Sequence, residues 1–344
     1  MTLPVETSLA PMLALLVGEI PEGEQWVYEP KWDGFRCLAF RDAESVDLRS
    51  KAGQPLARYF PELVAAVGAL EPRRFVLDGE IVVPVGRALS FDDLLQRIHP
   101  AETRIRKLAQ ETPALYVVFD LLVDESGRSI VDRPHSERRR LLERFAAAHF
   151  REKGTLRLSP VTDRPDEAQR WLRASGGAVD GVIAKRRDLD YRSGERTGMQ
   201  KIKFLRTADC VVGGFRYASK SRVIGSLLLG LYDDEGRLDH VGFCSSLKAE
   251  QRRELTPKLE SLIRPPGFTG NAPGGPSRWS SERSGQWEPL DPTLVVEVRY
   301  DHFSQGRFRH GTRFLRWRPD KAPRQCTRAQ VEQESRASPL VLLG

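Results

Sequence analysis

The octapeptide Glu29-Pro30-Lys31-Trp32-Asp33-Gly34-Phe35-Arg36 places a lysine just ahead of an acid and a glycine at the end of an apparent strand. Alone, K-x-D-G also reads as a surface β-turn, so its meaning depends on what surrounds it. Over roughly the first 200 residues, strand-like and helix-like segments alternate. Phe75-Val76-Leu77 and Ile81-Val82-Val83 flank the polar trio Asp78-Gly79-Glu80, and the apolar run from Ala114 to Val123 is interrupted by Asp120. Ser90 with Asp93 forms a capping box that predicts a helix over Phe91 to Ile98. Ser136 is expected to cap Glu137 to Phe150, in which Leu141, Leu142 and Phe145 share a face. Pro165 and Gly176 bracket a further helix carrying Trp171 and Leu172.

Beyond Phe204 the pattern changes to short strands, at Cys210 to Phe215, Ser226 to Tyr232, His240 to Cys244 and Leu294 to Tyr300. Asp233-Asp234-Glu235-Gly236 predicts a turn, and the Pro-, Gly- and Ser-rich stretch from Arg264 to Glu288 a long surface loop. The chain is therefore expected to be α+β, with a mixed domain over residues 1–205 and a small β-barrel domain over 206–344. No internal repeat is visible.

Further short patterns follow the first in a fixed order: Arg49-Ser50-Lys51-Ala52-Gly53, Asp78-Gly79-Glu80, Tyr116 to Leu122 around Phe119-Asp120, Asp180-Gly181-Val182-Ile183-Ala184-Lys185, Lys201-Ile202-Lys203 and Arg318-Pro319-Asp320-Lys321. The series resembles the ordered signatures of the covalent nucleotidyltransferases, a superfamily of DNA ligases, RNA ligases and capping enzymes. E-P-K-W-D-G-F-R and F-L-R-W-R-P-D-K are most similar to the compact bacterial ATP-dependent DNA ligases, namely ligase C and the ligase module of ligase D. That resemblance implies an N-terminal adenylation domain followed by an OB-fold, and ATP-dependent sealing of nicked duplex DNA in repair.

The residue types suit such chemistry. A lysine amine attacks phosphorus only when deprotonated, and neighbouring cations or burial favour that form. By resemblance, Lys31 is the nucleophile that carries AMP, with Lys201 and Lys203 on the α-phosphate. Glu29 reads the adenine amino group, and Phe119 and Ile183 enclose the base. Glu80 and Arg36 hold the ribose or sugar-phosphate, and Arg49 a phosphate. Asp180, with Glu80, is assigned to Mg²⁺ or Mn²⁺. Arg316, Arg318 and Lys321 are assigned to the pyrophosphate leaving group, which requires the barrel to close over Lys31 and then swing away to grip DNA. Arg206, Arg216, Lys220 and Arg222 are candidates for a basic groove on the barrel.

Plainer readings exist. Phe119 and Ile183 also fit a core, and Lys51 and Lys185 also fit solvated charges. The chain departs from the family pattern in two places: Asp180 stands where glutamate is usual, and Met199-Gln200 where tryptophan and an aliphatic residue are common.

Composition agrees with this reading. The net charge is +7, the excess being mostly arginine, and the pI is near 9.3, which suits contact with phosphate. Cys37, Cys210, Cys244 and Cys326 are far apart and lack metal-ligand spacing, which argues against zinc or a disulfide framework and for a reducing cytoplasm. No run is apolar for the length a membrane helix needs, and the absence of G-x-x-x-x-G-K-[ST] excludes a P-loop. With thirty residues ahead of Lys31, no large N-terminal DNA-binding domain is expected. A monomer is expected, with an end-binding or repair protein as a candidate partner. The competing readings are an RNA ligase or capping-type enzyme, and a non-catalytic nick- or end-binding protein.

Overall fold

The computed structural model describes residues 3–174, 179–219, 221–274, 286–332 and 338–343; Gly176, Lys220 and part of the Arg264 to Glu288 stretch lie outside them. The chain divides into two compact units, Met1–Phe204 with Glu334–Gly344, and Leu205–Gln333.

The first unit holds strands β1 (Leu15–Val17), β2 (Trp26–Lys31), β3 (Phe35–Asp42), β4 (Ser45–Ser50), β5 (Arg74–Val82), β6 (Pro84–Val85) and β7 (Ala88–Leu89). It continues with β8 (Leu115–Val123), β9 (Leu156–Leu158), β10 (Gly181–Arg186) and β11 (Met199–Lys203). Its helices are α1 (Pro61–Gly68), α2 (Phe91–Gln96), α3 (Glu102–Glu111), α4 (His135–His149) and α5 (Pro165–Ala174). One sheet runs β1-β11-β10-β2 and the other β4-β3-β5-β8-β9. Trp32 to Gly34 carry the chain from the first sheet to the second, so Lys31 ends one sheet where the other is about to begin. Gly34 permits this crossing, because a Cβ there would lie 2.0 Å from the Ile81 carbonyl oxygen. The larger core lies behind the second sheet, where Phe60, Leu63 and Phe75 are fully buried.

The Ser90 cap is present, its hydroxyl accepting from the Asp93 N–H at 3.1 Å, although α2 ends at Gln96 rather than Ile98. Ser136 does not cap α4. That helix begins at His135 behind Pro134, because the His135 and Ser136 N–H groups donate to the Leu189 and Arg187 carbonyls at 2.8 and 2.9 Å. Neighbouring backbone thus does the work expected of a side chain.

The second unit contains β12 (Arg206–Tyr217), β13 (Ile224–Tyr232), β14 (Leu238–Cys244), α6 (Ala249–Glu260), β15 (Glu288–Pro289), β16 (Val295–Tyr300), β17 (Phe303–Ser304), β18 (Arg307–Phe308) and β19 (Arg313–Trp317). The Asp233–Gly236 turn joins β13 and β14, with Gly236 N–H donating to the Asp233 carbonyl. The main sheet is antiparallel in the order β14-β13-β12-β16-β19. Among the described residues it does not close into a fully bonded barrel; its edges meet through a single Cys244–Thr312 bridge. Helix α6 was not evident from sequence. The stretch after it is not wholly surface, because Phe268 is buried in the core and Trp287 packs against it.

Candidate active site

The two-residue period of the first sheet brings the candidate residues into rows. Lys31, Gly181 and Lys203 are in register across β2, β10 and β11, and Glu29, Ile183 and Lys201 form the adjacent row. Gly181 adopts φ +143°, and a Cβ on it would fall 1.9 Å from the Ile202 carbonyl oxygen. Only a glycine allows the three strands to close up between the two lysines. Asp180, immediately before it, bridges the row: its Oδ2 lies 2.6 Å from Lys31 Nζ and 3.1 Å from Lys203 Nζ. Burial pushes the Asp180 carboxyl up, but the two lysines outweigh it and hold it below the usual carboxylate range. Burial, with Lys31, Lys203 and Lys51 nearby, draws Lys201 below the ordinary lysine value.

Arg36 on β3, Glu80 on β5 and Phe119 on β8 come from the second sheet. Together with Glu29, Lys31, Ile183 and Lys201 they line one open cleft of about 200 Å³. Arg36 donates through Nε and Nη2 to the two oxygens of buried Asp78 at 2.6 and 2.7 Å, and Tyr191 donates to the same carboxylate at 2.6 Å. The guanidinium so fixed lies 4.4 Å from the Phe119 ring centroid. Burial opposes its charge, yet Asp78 outweighs burial and strengthens it. Burial also pushes the Glu80 carboxyl up to about 7, against the pull of Lys31 and Arg36.

Lys51 and Lys185 also line the cleft; Lys51 is exposed, in keeping with a solvated charge, whereas for Lys185 that plain reading is corrected. Lys185 is buried, donating to Glu29 Oε1 at 2.8 Å and lying 4.6 Å from the Phe119 centroid. A signal was present in sequence: Lys185 follows Ile183 by two and therefore shares its face. Arg49 does not line the cleft; it donates to Asp47 at 2.7 Å beside the strand pair it belongs to.

In the second unit, Asp209 gathers Arg318 at 2.9 Å and Lys321 at 3.0 Å, Asp320 holds the other edge of Arg318, and Arg316 donates to Glu297 at 2.6 Å. Arg222 lies near Glu260 at 3.3 Å, Arg206 starts β12, and Arg216 is half-buried near its end. Lys220 lies outside the described residues.

The ATP dependent DNA ligase domain profile matches residues 11–203, and the profile of the ATP dependent DNA ligase C terminal region matches 220–321. This chain belongs to the ATP-dependent DNA ligases. The ligase is similar to DNA ligase C2 of Mycolicibacterium smegmatis, 44% identical across 98% of both chains. It is 32% identical to the multifunctional non-homologous end joining DNA repair protein LigD of Mycobacterium tuberculosis, over 93% of this chain and 40% of that protein. A solved Lig E DNA ligase shares its fold at TM-score 0.56 with 16% identity, covering 90% of this chain and 99% of that one. The second unit of the ligase is accordingly the OB-fold region of these enzymes. None of its described helices is long and apolar enough to cross a membrane.

Proposed function

We propose that the ligase seals nicks in duplex DNA through a covalent AMP on Lys31. The carrying observation is the convergence in one cleft of Lys31, the flanking cation Lys201, the carboxylate of Glu80 and the apolar side chains of Phe119 and Ile183. Asp180 and Lys203 join them through the Lys31 ion pair.

In the first step the Lys31 Nζ lone pair attacks the α-phosphorus of ATP, a P–N bond forms, the bond to the β-phosphate oxygen breaks, and the amine gives up a proton as pyrophosphate leaves. An oxygen of the DNA 5′-phosphate then displaces Lys31 from AMP, and the amine regains a proton. Finally the 3′-hydroxyl attacks the 5′-phosphorus, loses its proton, and expels AMP. Each displacement builds negative charge on phosphate oxygens, which Lys201 and Lys203 are placed to balance. Glu29, held by Lys185, is assigned to the adenine edge, and Arg36 and Glu80 to the ribose. Arg49 keeps its assignment to a phosphate, although it does not line the cleft. Adenylation is assigned to the first unit, and leaving-group and DNA contacts to the second, with Arg318 and Lys321 on pyrophosphate.

Glu80 and Asp180 supply hard oxygen donors, and among the described residues no group of three metal-ligating side chains occurs. That donor set fits Mg²⁺ or Mn²⁺, which commonly takes one or two carboxylates together with water and substrate phosphates. Such an ion, when bound, polarises phosphoryl oxygens. The similarity to LigD supports a role in repair and an end-binding protein as a partner. Mass spectrometry after incubation with ATP and Mg²⁺ should show a fraction heavier by one AMP, absent in Lys31→Ala; a wild-type protein that never forms the adduct overturns the reading.

A further inference from the structure

The walls of the cleft come from two different sheets, so something must fix their separation. Glu29, Lys31 and Ile183 stand on the first sheet, and Phe119 on the second. The reverse face of the first sheet is apolar, with Trp26, Tyr28 and Val182 in one cluster. Trp32, Val117 and Phe119 form a second cluster. The chain returns to the first unit in a short 3-10 turn at Pro339–Leu343, beyond the residues that either family profile matches. Leu342 packs against both clusters at once, and Leu343 against the one holding Phe119. The turn is pinned: Ser338 Oγ donates to the Arg87 carbonyl at 2.6 Å and accepts from the Leu340 N–H at 3.3 Å. Val341, on its outer side, is 76% exposed, whereas Leu342 and Leu343 are half-buried.

We propose that Leu342 and Leu343 are positioning residues for the nucleotide cleft: wedged where the two sheets meet, they set the gap between Phe119 and Ile183 in which the base is held. They touch neither substrate nor reacting atoms and act through Phe119 and Trp32. Interior packing transmits such a displacement because side chains are close-packed and few voids absorb it. Loss of the wedge weakens the grip on the base in the ground and transition states alike, which raises KM and spares kcat. The inference rests on the reading that this cleft binds ATP.

The test is single-turnover formation of the protein–AMP adduct, followed against ATP concentration in the full chain. The paired variant Leu342→Asp with Leu343→Asp is expected to need about tenfold more ATP for half-maximal rate, within the range that misplacing a positioning group costs, while the maximal rate changes less than about twofold. Paired methionines at the two positions restore the wild-type value. If the aspartate pair fails to fold by circular dichroism, the pair Leu342→Ala with Leu343→Ala must show the same split. An unchanged half-saturating concentration in a folded variant overturns the wedge. An adduct that persists in Lys31→Ala overturns instead the reading of the cleft, so the two failures are distinct.

Discussion

Asp180 holds Lys31 in an ion pair of 2.6 Å, and the same oxygen reaches Lys203 at 3.1 Å. The shorter side chain that stands in place of the usual glutamate therefore still reaches the Lys31 amine directly. Removing the charge takes away the carboxylate that bridges two half-buried lysines. Asp180→Asn is expected to slow formation of the protein–AMP adduct on the order of 100-fold, the scale associated with a positioned charge at a displacement centre. Asp180→Glu should stay within about tenfold of wild type, as it preserves the charge. Rapid-quench measurement with labelled ATP separates the two, and equal rates for both variants would contradict the assignment.

Glu80 gives the cleft a pH dependence. Its carboxyl titrates near 7 because burial disfavours the charged form, and both proposed duties, ribose and metal, need an acceptor. Adduct formation should rise as pH passes through about 7, and Glu80→Gln should flatten that limb while lowering the plateau. For stability the sign is opposite. The folded value lies above the ordinary 4.5, so the folded state binds the proton more tightly, and this contribution, full below 4.5, is lost as pH rises through about 7. Urea titrations should show Glu80→Gln losing less stability than wild type over that window.

Much of this cleft was legible because alternate residues of a strand share a face. Lys201 with Lys203 needed only a period of two to be grouped, and Asp180 with its following glycine only the known order of signatures. That Arg49 lies off the cleft lining was not legible, because its motif position says nothing of Asp47, which holds it along the strand pair. The beginning of α4 was missed because its N–H groups are satisfied by the carbonyls of Leu189 and Arg187, a long-range contact without local pattern. Helix α6 carries Pro257 within it, a residue that argues against helix when only sequence is read. The return of Leu342 to the first unit left no periodic trace at all.

Gly181 stands between Lys31 and Lys203 in register, and its Cβ position is occupied by the Ile202 carbonyl 1.9 Å away. With φ at +143°, an alanine there meets both a backbone clash and an unfavourable conformation. Gly181→Ala is expected to cost about 1–3 kcal/mol or more, read as a drop of several degrees in the thermal midpoint. Because relief of the clash must part β10 from β11, the adduct rate should fall further than stability alone explains. A variant that melts normally and adenylates normally would show that the row geometry is not needed.

Arg318 and Lys321 share the two oxygens of Asp209, at 2.9 and 3.0 Å, which presents both cations from one place on the OB-fold unit. If they orient pyrophosphate only while Lys31 is being adenylated, their loss should be confined to that step. Arg318→Ala is therefore expected to slow adduct formation about 100-fold or more, as for loss of a transition-state charge contact, while sealing nicks that already carry the 5′-adenylate at close to the wild-type rate. Asp209→Asn, which loosens both cations without removing either, should give a milder defect in the same step. Parallel assays on ATP and on a pre-adenylated nick read the two steps separately. Equal loss in both assays would mean that Arg318 serves the DNA rather than the leaving group.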